Sequence, residues 1–176
     1  MSDTITTFTG DRLDPLNPDP AHIHIEDIAH ALPMLCRGNG HVQSFFSVGQ
    51  HCINCAREAE ARGMSPRLIL ACLLHDASEC YMSDVPRPLK NHLRGYREAE
   101  NRLLDVIYTK YLGAPLSAEE ARSVKAIDDD MLTWDMTCLL HEESELPPLK
   151  ISVSYAFRPF EEVESEYLAL FHKYGE

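Results

Sequence analysis

His75 and Asp76 stand side by side at the end of the apolar run LILACLL. Two polar, metal-capable groups buried there without a partner would be costly. Neighbouring helical residues diverge by roughly 100°, yet both side chains can reach one ion lying over the helix. A hydrogen-bonded core histidine beside a helix-surface aspartate is the plain alternative for this pair. Two further polar residues lie on inward stripes. Val48, His51, Cys52, Cys55 and Ala59 follow the 3/4 spacing of a buried helical face, which turns His51 inward. Val124, Asp128, Met131, Asp135 and Cys138 repeat the pattern, so Asp128 is the inward member of Asp128-Asp129-Asp130 and its two neighbours face solvent. His51, His75, Asp76 and Asp128 together offer two imidazoles and two carboxylates. That mixed set suits a hard or borderline divalent ion with positions left open for water and substrate.

Glu79 lies four residues beyond His75 on the same face, one turn from the proposed ion. A carboxylate there can take a proton from a metal-activated water, and Asp84 can orient that water or hold the proton of Glu79. The bland alternative for Glu79 is a charged cap on a surface turn. An anionic substrate also needs cations, for which Arg37, Arg87 and Lys90 are the candidates; each is otherwise an ordinary solvated side chain. Cys52-x-x-Cys55 has no second pair at matching spacing, which argues against structural zinc or redox use. His22-x-His24 sits in a proline-rich arm that would not preorganise a site. Gly38-Asn39-Gly40 lacks the strand and helix of a dinucleotide fingerprint.

The elements that must position these groups are helical. With 176 residues, 44% of them hydrophobic, the chain is long enough for one domain with a core and too short to suggest two. Residues 1–24, with Pro15, Pro18 and Pro20, read as an ordered or partly ordered arm, and 25–176 as the domain. Helices are expected from Ile25 to Leu35, after Ser47 up to Gly63, and from Ser65-Pro66 through the body LILACLLHDASECY. Pro86 and Pro88 break that last one. Helical patterns resume from about Leu89 to Leu112 and from Ser117 to about His141, where Ser117 and Glu120 match a capping box. Pro147 and Pro148 close that element, and a final amphipathic stretch from Pro159 to about Tyr174 packs on the outside of the bundle. Ile151 to Tyr155 is the one stretch with any strand character. The fold class is all-α, a single-domain helical bundle.

Composition excludes some functions. The formal net charge of −12 repels a polyanion, which disfavours polymeric nucleic acid as a partner. No apolar stretch approaches the ~20 residues of a membrane span, and Met1 to Asp11 does not read as a secretory signal. Six cysteines set mostly in apolar, helix-like segments read as reduced thiols, which points to the cytoplasm.

The order His51, His75-Asp76, Asp128 resembles the H...HD...D pattern that defines the HD-domain phosphohydrolases, over about Glu26 to Cys138. SVGQH (Ser47 to His51), LLHDASE (Leu73 to Glu79) and DVPRPLK (Asp84 to Lys90) are similar to the bacterial 5′-deoxynucleotidase group and to phage-type deoxynucleotide phosphohydrolases. The resemblance implies one divalent ion, drawn from Mn, Co, Zn, Fe, Ni or Mg, held by His51, His75, Asp76 and Asp128, with Glu79 and Asp84 beside the attacking water. It implies that Arg37 contacts the phosphate or sugar of a small nucleotide, with Arg87 and Lys90 as further substrate contacts, and that the chain forms a homo-oligomer. The expected reaction is hydrolysis of a deoxynucleoside 5′-monophosphate to nucleoside and phosphate. Deoxynucleoside triphosphate triphosphohydrolysis is the enzymatic alternative, and a non-catalytic metal- or nucleotide-binding module the alternative of another class. Gly38 departs from the pattern, because relatives commonly carry an aromatic residue there. Between the HD pair and Asp128 only His92 is available as a further histidine, which argues for one metal and not two.

Overall fold

A computed structural model describes residues 3–175 and is mostly helical. Its helices are α1 (Ile25–Ala31), α2 (Val48–Ala61), α3 (Pro66–Leu74), α4 (Glu79–Met82), α5 (Arg87–Lys90), α6 (Tyr96–Leu112), α7 (Ala118–Leu140) and α8 (Phe160–Gly175). Sequence signals explain most of these boundaries. Ser47 and Ser117 start α2 and α7 with reciprocal capping boxes closed by Gln50 and Glu120, each cap worth about 1 kcal/mol. Ser65 caps α3 and Pro66 occupies its first turn, where its missing N–H costs nothing. Helix α6 ends at Gly113, whose φ of 81° suits a residue without Cβ.

The core lies where α2 and α3 pack on each other, on α7 and on α8. Cys52, Ala56 and Ala59 of α2 and Ala71 and Cys72 of α3 are fully buried, and such small side chains let the two helices approach closely. Gly49 takes α2 within contact of the 3₁₀ turn Leu32–Met34.

Several expectations are corrected. Helix α3 stops at Leu74, and residues 75–78 continue as tighter turns, with Ala77 N–H donating to the Leu74 carbonyl and Glu79 N–H to Asp76. Helix α8 does pack on the outside of the bundle, lying on α1, α2 and α3 by one face: Val163 and Tyr167 are its buried residues, and Tyr167 donates its hydroxyl to the Leu73 carbonyl at 2.8 Å. The helical pattern over Leu89 to Leu112 is broken between α5 and α6, where Gly95 adopts φ 76°. Ile151 to Tyr155 is irregular, and among the described residues the strands are β1 (Ile5–Thr6) and β2 (Arg12–Leu13), antiparallel with Ile5 opposite Leu13. They belong to residues 3–24, which are seated on the body through the buried Leu13 and Ile23. Helix α7 ends on His141 in left-handed conformation, ahead of Pro147 and Pro148, and Cys138 is exposed. Among the described residues no helix is long and apolar enough to cross a membrane.

Candidate functional site

Helix α2 carries His51 in its first turn, facing the end of α3 and the middle of α7. The tightened turn after Leu74 presents His75 and Asp76 toward that same point, and Asp128 arrives from α7. The His51 Nε2 atom is 3.3 Å from His75 Nε2, 3.3 Å from Asp128 Oδ1 and 3.9 Å from Asp76 Oδ2. His75 Nε2 is 3.3 Å from Asp76 Oδ2 and 3.6 Å from Asp128 Oδ1. Donors bonded at about 2.1 Å to one ion stand roughly 3.0–3.5 Å apart along the edges of its coordination shell. The three separations of 3.3 Å fall within that range and those of 3.6 and 3.9 Å lie just beyond it, so the four residues are compatible with a divalent metal.

Both imidazoles are fixed from behind. His75 Nδ1 lies 2.7 Å from the Cys72 carbonyl. His51 Nδ1 lies 2.8 Å from Asp135 Oδ2. Carbonyl and carboxylate oxygens only accept, so each Nδ1 carries the hydrogen. Burial, the largest influence, presses the pKa of both histidines down, as does Arg37 at His51. Nearby thiols and carboxylates outweigh this and leave both well above the ordinary value. Asp76 and Asp128, despite burial, are held well below the usual carboxylate range by the two histidines, with Arg37 adding to the effect at Asp76.

A cleft of about 410 Å³ opens over this point, a volume suited to a small organic ligand. Its charged end is formed by Asp76, Glu79, Asp84, Asp128 and Asp135 together with Arg37, Arg87 and Lys90; its other walls are apolar, with Val42, Leu132, Met136 and Leu140 among them. Glu79 is only 4% exposed, and its Oε2 has no hydrogen-bond partner among the described residues. Burial, followed by Asp76 and Asp84, pushes its pKa well above the ordinary value. Asp84 is raised too, mainly by burial. Glu79 reaches the site from its own short helix α4, not from a continuation of α3.

All three candidate cations line the cleft, and Arg37 and Lys90 are largely buried there. Arg37 is held by a bridge between Cys36 and Ser47 and by its N–H donating to the Phe46 carbonyl. Its guanidinium is 3.5 Å from Asp76, 3.5 Å from Asp135 and 4.0 Å from Asp84. Lys90 lies between Glu79 at 3.4 Å and Glu100 at 2.6 Å. Arg87, half exposed, pairs with Asp128 at 2.7 Å and Asp129 at 3.0 Å. Gly38, next to Arg37, adopts φ 57° and faces the cleft; a Cβ there would touch Leu140 and Val42 at 3.6 and 3.7 Å.

Sequence reasoning assigns no role to two features of the site. Asp135, a member of the inward stripe of α7, is the hydrogen-bond partner of His51. The thiols of Cys52-x-x-Cys55 abut the donor cluster: Cys55 Sγ is 3.6 Å from His51 Nε2, and Cys52 groups with His75 and Asp76. Their one sequence signal is the stripe shared with His51. His22 and His24 instead grip Asp11, at 2.9 and 2.8 Å, and neither lines the cleft.

No protein-family profile matches the chain. It is 39% identical over 128 residues to an uncharacterized protein of Rhodobacter capsulatus, a match covering 69% of this chain and 65% of the relative. It is 38% identical over 109 residues to YfdR of Escherichia coli, also named as uncharacterized, covering 61% of this chain and 57% of the relative. The chain thus spans less than two thirds of the length of each relative.

Proposed function

We propose that the chain is a divalent-metal-dependent phosphohydrolase of the HD-domain type, acting on a small nucleotide, with deoxynucleoside 5′-monophosphates as the favoured substrates. The observation that carries this is the convergence of His51 Nε2, His75 Nε2 and the Asp76 and Asp128 carboxylates on one point at the floor of a ligand-sized cleft. Among the charged cleft residues, five carboxylates face three cations. One divalent ion would bring this set to neutrality and so lift the repulsion that an anionic substrate would otherwise meet.

An ion held by these four residues would polarise a phosphoryl oxygen and acidify a bound water. Glu79 supplies the proton chemistry. Glu79 lines the cleft and has a buried, unpartnered Oε2, and its raised proton affinity suits a base that takes the proton of the attacking water and returns it to the departing alkoxide. Asp84 sets the Glu79 proton affinity through its charge. Arg37, fixed by its three acids, presents a guanidinium to the incoming phosphate. Arg87 reaches the anion by giving up one of its two aspartates, and the apolar walls pack on the nucleoside.

The test is to incubate the protein with manganese or cobalt and each deoxynucleoside mono- and triphosphate, resolving phosphate from triphosphate. Phosphate release from monophosphates is expected, and no release from either class sinks the enzyme reading. Glu79→Gln should retain bound metal while losing about 10²–10⁴-fold in turnover. His75→Ala should lose the metal itself, and a wild-type protein without near-stoichiometric metal would leave only a helical bundle with paired histidines.

A further inference from the structure

Asp135 is 3% exposed, and its carboxylate serves three groups. Oδ2 accepts from His51 Nδ1 at 2.8 Å and from Arg37 Nη2 at 3.5 Å, while Oδ1 accepts from the Tyr155 hydroxyl at 3.1 Å. It stands two helical turns beyond Asp128 on the same face of α7, so one rigid helix offers one carboxylate to the front of His51 and another to its back. We propose that Asp135 is the positioning residue of the metal centre: it holds the proton on His51 Nδ1, aims the Nε2 lone pair at the ion, and is itself fixed by Tyr155 from the segment between α7 and α8.

Resting on the metal centre proposed above, this role follows from geometry. A neutral imidazole carries its single proton on either nitrogen, and the partner of one nitrogen decides whether the other is free to ligate. Here a carboxylate faces Nδ1, and a carboxylate cannot donate. The His75 imidazole is set by a main-chain carbonyl, which no substitution removes. His51 depends on a side chain, so its orientation is the part of the centre that mutation can unlock. Tyr155 leaves Asp135 a single low-energy orientation, because turning the carboxylate away from His51 would also break the tyrosine bond.

Asp135→Asn is nearly isosteric but offers His51 an amide that can present N–H in place of oxygen. Cobalt(II) or manganese(II) affinity of the wild type, Asp135→Asn, Tyr155→Phe and Asp128→Asn would be measured by calorimetric titration, alongside thermal melts of the metal-free proteins. Asp135→Asn should weaken metal binding about 10–100-fold while its metal-free melt stays cooperative, and Tyr155→Phe should weaken it by a smaller factor. In the zinc-loaded wild type, long-range ¹H–¹⁵N spectra should show the His51 proton on Nδ1. Unchanged affinity in Asp135→Asn, with Asp128→Asn impaired, would overturn the role of Asp135 and leave the centre standing. A wild type that binds neither metal would overturn the centre and this role with it. Should Asp135→Asn fail to fold, Tyr155→Phe and the tautomer spectrum decide: weakened binding with the proton on Nδ1 supports the role, and unchanged affinity or a proton on Nε2 refutes it.

Discussion

Glu58 is fully buried on α2, and its carboxylate accepts from Arg62 Nε at 2.7 Å and from the backbone N–H groups of Lys150 and Ile151 at 2.9–3.1 Å. It thereby clamps the irregular segment after α7 onto the helix that carries His51. Glu58→Ala would strand the two N–H groups and leave Arg62 with Asp130 alone, so it should cost about 3 kcal/mol in a denaturant titration, with earlier proteolytic cleavage between residues 141 and 159. Nothing in CAREAEARG marks this glutamate, because its backbone partners arrive from more than ninety residues away. His51, Asp128 and Asp135 are legible for the opposite reason: each is a polar residue on an apolar stripe, and the stripe is a local property of the helix. Even so, the stripe gives only direction. That Asp135 meets the back of His51 while Asp128 meets its front depends on how α2 and α7 pack.

Elements are legible wherever caps and breakers are local. Ser47, Ser65-Pro66 and Ser117 mark their helices because the bonds they make close within four residues. The end of α3 is not legible, since LLHDASECY carries no breaker; the turn tightens where His75 and Asp76 swing toward partners on α2 and α7. The outer place of α8 is legible from its amphipathic pattern, but which helices it lies on is not. Two outcomes belong to this scale. Gly49→Ala would bring a Cβ to 3.0 Å from Pro33 N and 3.2 Å from the Leu32 carbonyl carbon. The gain of about 1 kcal/mol in helix propensity is outweighed because backbone and a rigid ring must move, so a net loss of about 1–2 kcal/mol is expected by denaturant titration. The second concerns Arg67, which binds Glu120 at 2.6 Å and the Leu112 carbonyl at 2.7 Å, joining α3 to the start of α7. Arg67, then the Ser117 N–H, lowers the Glu120 pKa to about 2. A depressed carboxylate pKa contributes stability above its unfolded value that is lost as pH falls toward the folded one. The melting temperatures of wild type and Glu120→Gln should therefore differ more at pH 5 than at pH 2.

At the scale of the whole molecule, a net charge of −12 is concentrated in part at the cleft, where carboxylates outnumber cations. An ion bound only by the folded state adds stability by mass action, about 2.7 kcal/mol at a hundredfold excess over its dissociation constant. For a chain of this size that is a rise of about 5–10 °C in melting temperature, reversed by a chelator and absent in His75→Ala. The cleft has one more consequence. Away from its charged end, its walls contain no neutral polar side chain among the described residues, so no side chain there can question the edge of a base by hydrogen bonding. Apolar walls sort their guests by shape alone, and a methylene-sized difference is worth only about 1–3 kcal/mol. As a nucleotidase, the protein should act as a generalist within each ring size: kcat/KM for adenine and guanine substrates, and for cytosine and thymine substrates, should fall within about 200-fold of each other. A wider spread in competition assays would require a reader of bases that these walls do not contain.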